Sequence, residues 1–307
     1  MNEVNQKTLA SPVKFNGIGL HSGQKSEITI NPAKENEGII FKRIDLKENN
    51  IIEANFKNVS SAKLCTTLEN RYGAKVSTVE HLLAALYITG IDNAFVEINC
   101  EEVPIMDGSS KDFLTVLSET NLINQTKKRK YLKISDKIEL VDGEKKISIE
   151  PHNSLEVDFQ LKYENKIIGK QKNIIDFQKD DLKDVSSSRT FCLFEDIEKI
   201  KKNGLAKGGS LENAVVVDKD KILNNGGLRN DKEFVNHKIL DLSGDFMLSG
   251  HRILGKVICY QGGHELTNLF LKKIFNTEES FKFIELSSYK IPKKVFTKES
   301  EKIAVNA

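Results

Sequence analysis

The sequence has no tryptophan, and its 307 residues include only four cysteines, five prolines and three methionines. Cys65, Cys100, Cys192 and Cys259 are widely spread, without a CxxC pair. That spacing excludes a dense disulfide framework and suits free thiols in a reducing compartment. Long apolar runs are absent too. The longest, Leu82 to Ile88, is seven residues, against the roughly 20 that a membrane-spanning helix needs. The opening residues, Met1 to Lys7, carry no basic-then-apolar signal sequence, so the expected location is cytoplasmic. No sign of charge dominates: 46 basic against 44 acidic residues leave a net +2. This balance gives no global attraction to nucleic acid.

What is present supports a folded chain. A hydrophobic content of 39% over 307 residues is enough for a sizeable core, in one large domain or two smaller ones. Ile28 and Ile30 alternate with Glu27 and Thr29 as in a half-buried strand, and Asn31-Pro32 is a turn signal. Ser77-Thr78-Val79-Glu80 predicts a capped helix start, and the helix should stop near Gly90. A strand is expected over 94–98 and a short helix near 112–117. The basic run Lys127-Lys128-Arg129-Lys130 lacks interleaved aromatics and reads as a solvated linker and domain boundary. Beyond it, strands over 146–150 and 155–161 precede a helix near 231–248, a strand over 253–260 and a helix near 266–275. Helix, strand, helix closes both halves, which suggests two copies of one α+β unit.

Chemistry concentrates on the segment from Asn236 to Asp245. On a helix His237, Asp241 and Asp245 are spaced by four and fall within about 80° of one another. Apolar Ile239, Leu240, Leu242, Phe246 and Met247 surround that stripe, so its carboxylates are expected to be buried and to need compensation. A divalent metal on His237 and Asp241 would supply it; a satisfied core His–Asp pair would serve equally. Glu80-His81 opens a helix in the other half and offers a third ligand in His81. Zinc catalysis uses three protein ligands and an open position, which leaves Glu80 as a general base. No second histidine follows at HExxH spacing. His264, after Gly262-Gly263 at a strand-to-helix turn, suits a general acid or an oxyanion stabiliser, or is a plain turn histidine. His21 sits in a glycine-rich turn without a dinucleotide fingerprint. His152 reads as surface, and His251 as a helix-end charge.

Taken in order, these segments resemble a known family. They run from Gly17-Ile18-Gly19-Leu20-His21-Ser22-Gly23 through Ser77-Thr78-Val79-Glu80-His81 and Pro104-Ile105-Met106-Asp107-Gly108-Ser109. Ser188-Arg189-Thr190-Phe191, Lys207-Gly208-Gly209-Ser210, the His237 helix and Gly263-His264 complete the set. It is similar to UDP-3-O-acyl-N-acetylglucosamine deacetylase, the zinc amidase of lipid A biosynthesis in Gram-negative bacteria. The resemblance implies two related α+β domains, helices sandwiched between two β-sheets and the site at their junction. The boundaries would be 1–126 and 131–292, with a polar tail over 293–307. It implies His81, His237 and Asp241 as ligands of zinc (ferrous iron being the alternative), Glu80 as base and His264 as second acid–base group. Thr190 would hold the carbonyl oxygen, Asp245 would orient His264, and Lys238 and Phe191 would contact substrate. Ile197, Ala206, Gly209 and Val216 would wall an acyl-chain passage. Cys192 and Asn236 depart from the family's commoner residues.

The function expected on that resemblance is hydrolysis of the N-acetyl group of an acylated UDP-sugar, giving acetate and a free amine. Expected partners are that small molecule and at most a transient membrane surface, with no nucleic acid, the chain acting as a monomer. The alternatives are a zinc amidase for another acylated sugar nucleotide and a non-catalytic RNA-binding module using Lys127 to Lys130.

Overall fold

The computed structural model describes residues 4–286; the expected tail over 293–307 and the last residues of the second half lie outside them. Two larger sheets frame the chain. The first has five strands, in the order Val13–Ile18, Lys25–Pro32, Ala94–Ile98, Ile39–Arg43 and Ile51–Glu53. In its second strand Ser26, Ile28 and Ile30 face inward, the alternation that the sequence carries. The second sheet has seven strands gathered on Arg252–Tyr260. That strand pairs antiparallel with Lys145–Glu150 and parallel with Leu155–Lys162 and Lys130–Ile134.

Six α-helices occur among the described residues: α1 (Glu80–Thr89), α2 (Lys111–Glu119), α3 (Lys183–Ser187), α4 (Phe194–Lys202), α5 (Glu233–Met247) and α6 (His264–Phe275). Both expected helix–strand–helix successions are present, α1 with Ala94–Ile98 and α2, then α5 with Arg252–Tyr260 and α6. Helices and both sheets share one apolar core, which joins Phe41 and Val96 through Leu82 and Leu240 to Phe159 and Val257. This is an α+β fold.

Two helices at its centre are buried nearly all round. Glu80 through Tyr87 are all buried in α1, and in α5 every residue but Lys238 is buried. Helices so placed carry no polar face for solvent, so their charged side chains must find partners inside. The two meet at Gly244, where a Cβ would overlap the Glu80 carbonyl. Only glycine permits this approach, and it seats the first turn of α1 against the last turn of α5.

Three expectations change. The basic run is not a solvated linker at Arg129. Leu122–Lys128 pairs with Asn5–Leu9, and Arg129 is buried with its Nε and Nη2 at 2.7 and 2.6 Å from the Asp92 carboxylate. Arg129 also donates to Gly90 O at 2.8 Å, and Arg252 reaches Asp92 at 3.5 Å while stacking over Tyr87. A four-residue composition window does not register a partner 37 positions away. The start of α1 has no side-chain cap: its N-cap is Val79, and the Thr78 hydroxyl goes to Glu102 instead. His251 is not a helix-end charge. Its ring packs on Phe283 with centroids 4.6 Å apart, and burial lowers its pKa, favouring the neutral form.

Candidate active site

The site forms where α1 and α5 touch. Thr78 adopts a left-handed backbone, φ 56°, just ahead of α1. For a β-branched residue that conformation is costly and persists only when its surroundings fix it. Its hydroxyl donates to Glu102 Oε1 at 2.9 Å, and that buried carboxylate also accepts the N–H groups of His21 and Ser22. The turn delivers Glu80 and His81 to the first turn of α1, both buried, opposite the stripe of α5.

His81, His237 and Asp241 converge, with one potential ligand atom from each within 4.8 Å of the others. Nε2 of His81 and Nε2 of His237 lie 3.4 and 3.3 Å from the same atom, Asp241 Oδ1. That oxygen is buried and accepts no hydrogen bond, whereas Oδ2 takes one from Lys238 Nζ at 2.8 Å. A buried carboxylate oxygen facing two imidazole nitrogens without a bond is costly as it stands. The donor set of two nitrogens and one oxygen fits a catalytic divalent metal such as zinc. His237 Nδ1 is 3.1 Å from the Ser188 carbonyl, which can only accept. The proton is therefore on Nδ1, and the Nε2 lone pair faces the ligand group.

The acid–base pair lies beside it. Glu80 Oε1 is 3.7 Å from His264 Nε2, and Glu80 Oε2 accepts the Thr66 N–H at 3.1 Å. His264 Nδ1 is 2.8 Å from Asp245 Oδ2, and Asp245 Oδ1 accepts the Thr66 hydroxyl at 2.6 Å. Thr66 thus ties the carboxylate beside the ligand group to the one that orients the histidine.

Charge states follow from burial against pairing. Burial pushes His237 down to about 3, so it is a neutral imidazole. Burial would raise Asp241, but His237 and Lys238 outweigh it and hold the carboxyl well below its ordinary range. Burial raises Glu80, with His264 and His81 opposing. For His264 burial works downward, yet facing Asp245 and then Glu80 raise it to about 10, so it is an imidazolium at neutral pH.

A family model described as UDP-3-O-acyl N-acetylglycosamine deacetylase matches residues 6–276. The chain belongs to that family. Relatives named UDP-3-O-acyl-N-acetylglucosamine deacetylase agree along nearly their whole length. The one from Pseudoalteromonas translucida is 40% identical over 283 residues, 91% of this chain and 93% of the relative. The one from Idiomarina loihiensis is 41% identical over 92% of this chain and 93% of its own, and that from Pasteurella multocida 39% over the same shares.

Within this family member the other expected residues divide. Lys238 is brought to the group, over the Phe191 ring at 5.6 Å, and Phe191 in turn lies 6.3 Å from the His237 ring. Thr190 is half-buried on the adjoining strand start, its N–H on Gly108 O at 2.8 Å. A cavity of about 530 Å³ is lined by Leu193, Phe194, Ile197 and Val217 among others, without Ala206, Gly209 or Val216. Gly209 is exposed and Val216 buried. His152 is half-buried against Ser154 rather than on the open surface.

The roles of Thr66, Ser188 and Glu102 escape a reading of the sequence, because their partners are far along the chain. Thr66 meets Asp245 across 179 positions. His21 is different: both ring nitrogens are buried without hydrogen-bond partners, and His264 is among the charges that lower its pKa after burial itself. Its glycine-rich turn was the available signal.

Proposed function

We propose that this chain hydrolyses the N-acetyl group of UDP-3-O-(3-hydroxyacyl)-N-acetylglucosamine, releasing acetate and the free amine, as a step of lipid A biosynthesis. The observation that carries the reading is the unbonded, buried Asp241 Oδ1 facing His81 and His237, with Glu80 and His264 alongside. His81, His237 and Asp241 would hold the metal, zinc or else ferrous iron. Such an ion supplies Lewis acidity to an amide carbonyl and to the attacking water.

The protein's own groups do the rest. Glu80, held by the Thr66 N–H, takes the water proton as the amide carbon is attacked. His264 enters as an imidazolium fixed by Asp245, stabilises the developing oxyanion and passes its Nε2 proton to the leaving amine. Thr190, just ahead of the strand Phe191–Leu193, supports the carbonyl oxygen. Lys238 anchors the Asp241 carboxylate and offers its remaining donors to substrate. Phe191, Ile197, Ala206, Gly209 and Val216 guide the acyl chain. The halves 1–126 and 131–292 contribute one side of the site each.

Among the described residues no helix is long and apolar enough to cross a membrane. The four cysteines are free thiols, which suits a reaction in the reducing cytoplasm; the chain acts there as a monomer. The test is product analysis by mass spectrometry on the acylated UDP-sugar. Equal yields of acetate and free amine are expected. Zinc-loaded protein that releases neither would move the reading to a different acylated sugar nucleotide.

A further inference from the structure

The ligand stripe on α5 is longer than three residues. Glu233 stands one turn before His237, so Glu233, His237, Asp241 and Asp245 form a single row at spacing four. Glu233 is completely buried, yet it touches neither the ligand group nor the acid–base pair. Its carboxylate is instead filled with donors. Oε1 accepts the Arg189 N–H at 3.1 Å and Arg189 Nε at 2.7 Å, and Oε2 accepts Arg189 Nη2 at 3.1 Å and the Arg229 N–H at 2.6 Å.

The first of these bonds matters most. The Arg189 N–H and the Ser188 C=O are the two ends of one planar peptide group. The carbonyl end accepts Nδ1–H of His237 at 3.1 Å. The amide end is held by Glu233, one turn earlier on the same helix. A closed ring results, from carboxylate to peptide to imidazole and back through α5. The Arg189 guanidinium locks it by binding the same carboxylate and Gly227 O at 2.9 Å. Turning the peptide plane would break both ends at once.

Metal-binding histidines commonly have the second ring nitrogen held by a carboxylate or a carbonyl, which fixes the tautomer and ring orientation. Here the carbonyl does so directly, and the carboxylate does so through the peptide. We infer that Glu233 is a positioning residue, which through the Ser188–Arg189 peptide fixes His237 in the Nδ1–H tautomer with Nε2 aimed at the ligand group. Polarisation of the peptide by the carboxylate makes its carbonyl a better acceptor. The inference rests on the functional reading above, in which His237 is a ligand.

Glu233→Gln tests it. An amide carries only one acceptor oxygen, so either orientation turns its NH2 against two donors that now bond a carboxylate oxygen. Two readouts do not depend on turnover: zinc affinity of the metal-free protein by chelator competition, and the His237 tautomer by nitrogen-15 NMR. We expect zinc binding to weaken about 10- to 100-fold and the Nδ1–H signature to give way to a mixture. Asp92→Asn is the control, since it breaks a buried ion pair remote from the stripe. It should lower the melting temperature while zinc affinity stays within about twofold, the tautomer unchanged. If Glu233→Gln does not fold, Glu233→Asp keeps the charge and withdraws the oxygens from the Arg189 N–H; the same direction is expected. A folded variant with wild-type zinc affinity and tautomer would overturn the inference alone. Wild-type protein that binds no zinc would overturn the functional reading, and this inference with it.

Discussion

Glu80 and His264 face each other at 3.7 Å with opposite assignments, one to take a proton and one to give it. Glu80→Gln keeps the shape and removes the base. It should retain metal and lower kcat roughly 100- to 10,000-fold, measured by acetate release beside metal analysis; near-normal turnover would remove Glu80 from the role. The pH profile should have two limbs. Burial raises Glu80, so activity should fall as pH drops through a value above the ordinary carboxylate range, where the base becomes protonated. His264 is raised to about 10 despite burial, by Asp245 and Glu80, so the acid is present below that pH and lost as pH rises through it. His264→Ala should lower kcat with metal retained and flatten the alkaline limb; a change confined to KM would make its role one of binding. At this scale the sequence was readable where one helix carries several groups. His237, Asp241 and Asp245 declare themselves by spacing, and Glu233 obeys the same rule. Thr66 does not, since nothing local marks a hydroxyl whose partner is 179 residues away.

Elements position these groups through contacts that residue chemistry alone does not contain. Gly244 is the clearest case, because its missing side chain lets α1 rest on α5 with Glu80 above it. Gly244→Ala gains about 1 kcal/mol of helix propensity but forces a methyl into backbone, an overpacking cost of about 1–3 kcal/mol. The expected result is a net loss of about 1 kcal/mol in denaturant unfolding, with weaker zinc binding as His81 moves from His237. Unchanged metal affinity would mean that the helix contact does not set the ligand distances. Elements were also largely legible. The strand over Ala94–Ile98 lies where its β-branched and aromatic pattern puts it, and α5 is within two residues of expectation. The misplaced features were ends and links. Thr78 gave up capping for Glu102, and Arg129 left the solvent for Asp92. Both choices are made by tertiary partners rather than by neighbours in sequence.

At the scale of the molecule, α1 comes from one half of the chain and α5 from the other, and the ligand group exists only when they are packed together. Metal binding should therefore stabilise the whole fold. Free zinc at 100 times its dissociation constant should add about 2.7 kcal/mol, read as a rise in melting temperature that the apo protein lacks. Family membership was visible in the order of several short segments, none of them specific alone. The acyl passage was named only through the resemblance, because its walls depend on how the 26-residue stretch from Phe191 to Val216 packs; within that stretch Ile197 lines a cavity. On the proposed function this packed centre is a metal-dependent amidase. Acetate release from UDP-3-O-(3-hydroxyacyl)-N-acetylglucosamine, followed before chelation, after chelation and after zinc is restored, tests it most directly. Release should disappear on chelation and return with zinc; release that persists through complete metal removal would mean that the centre is not a metal-dependent amidase.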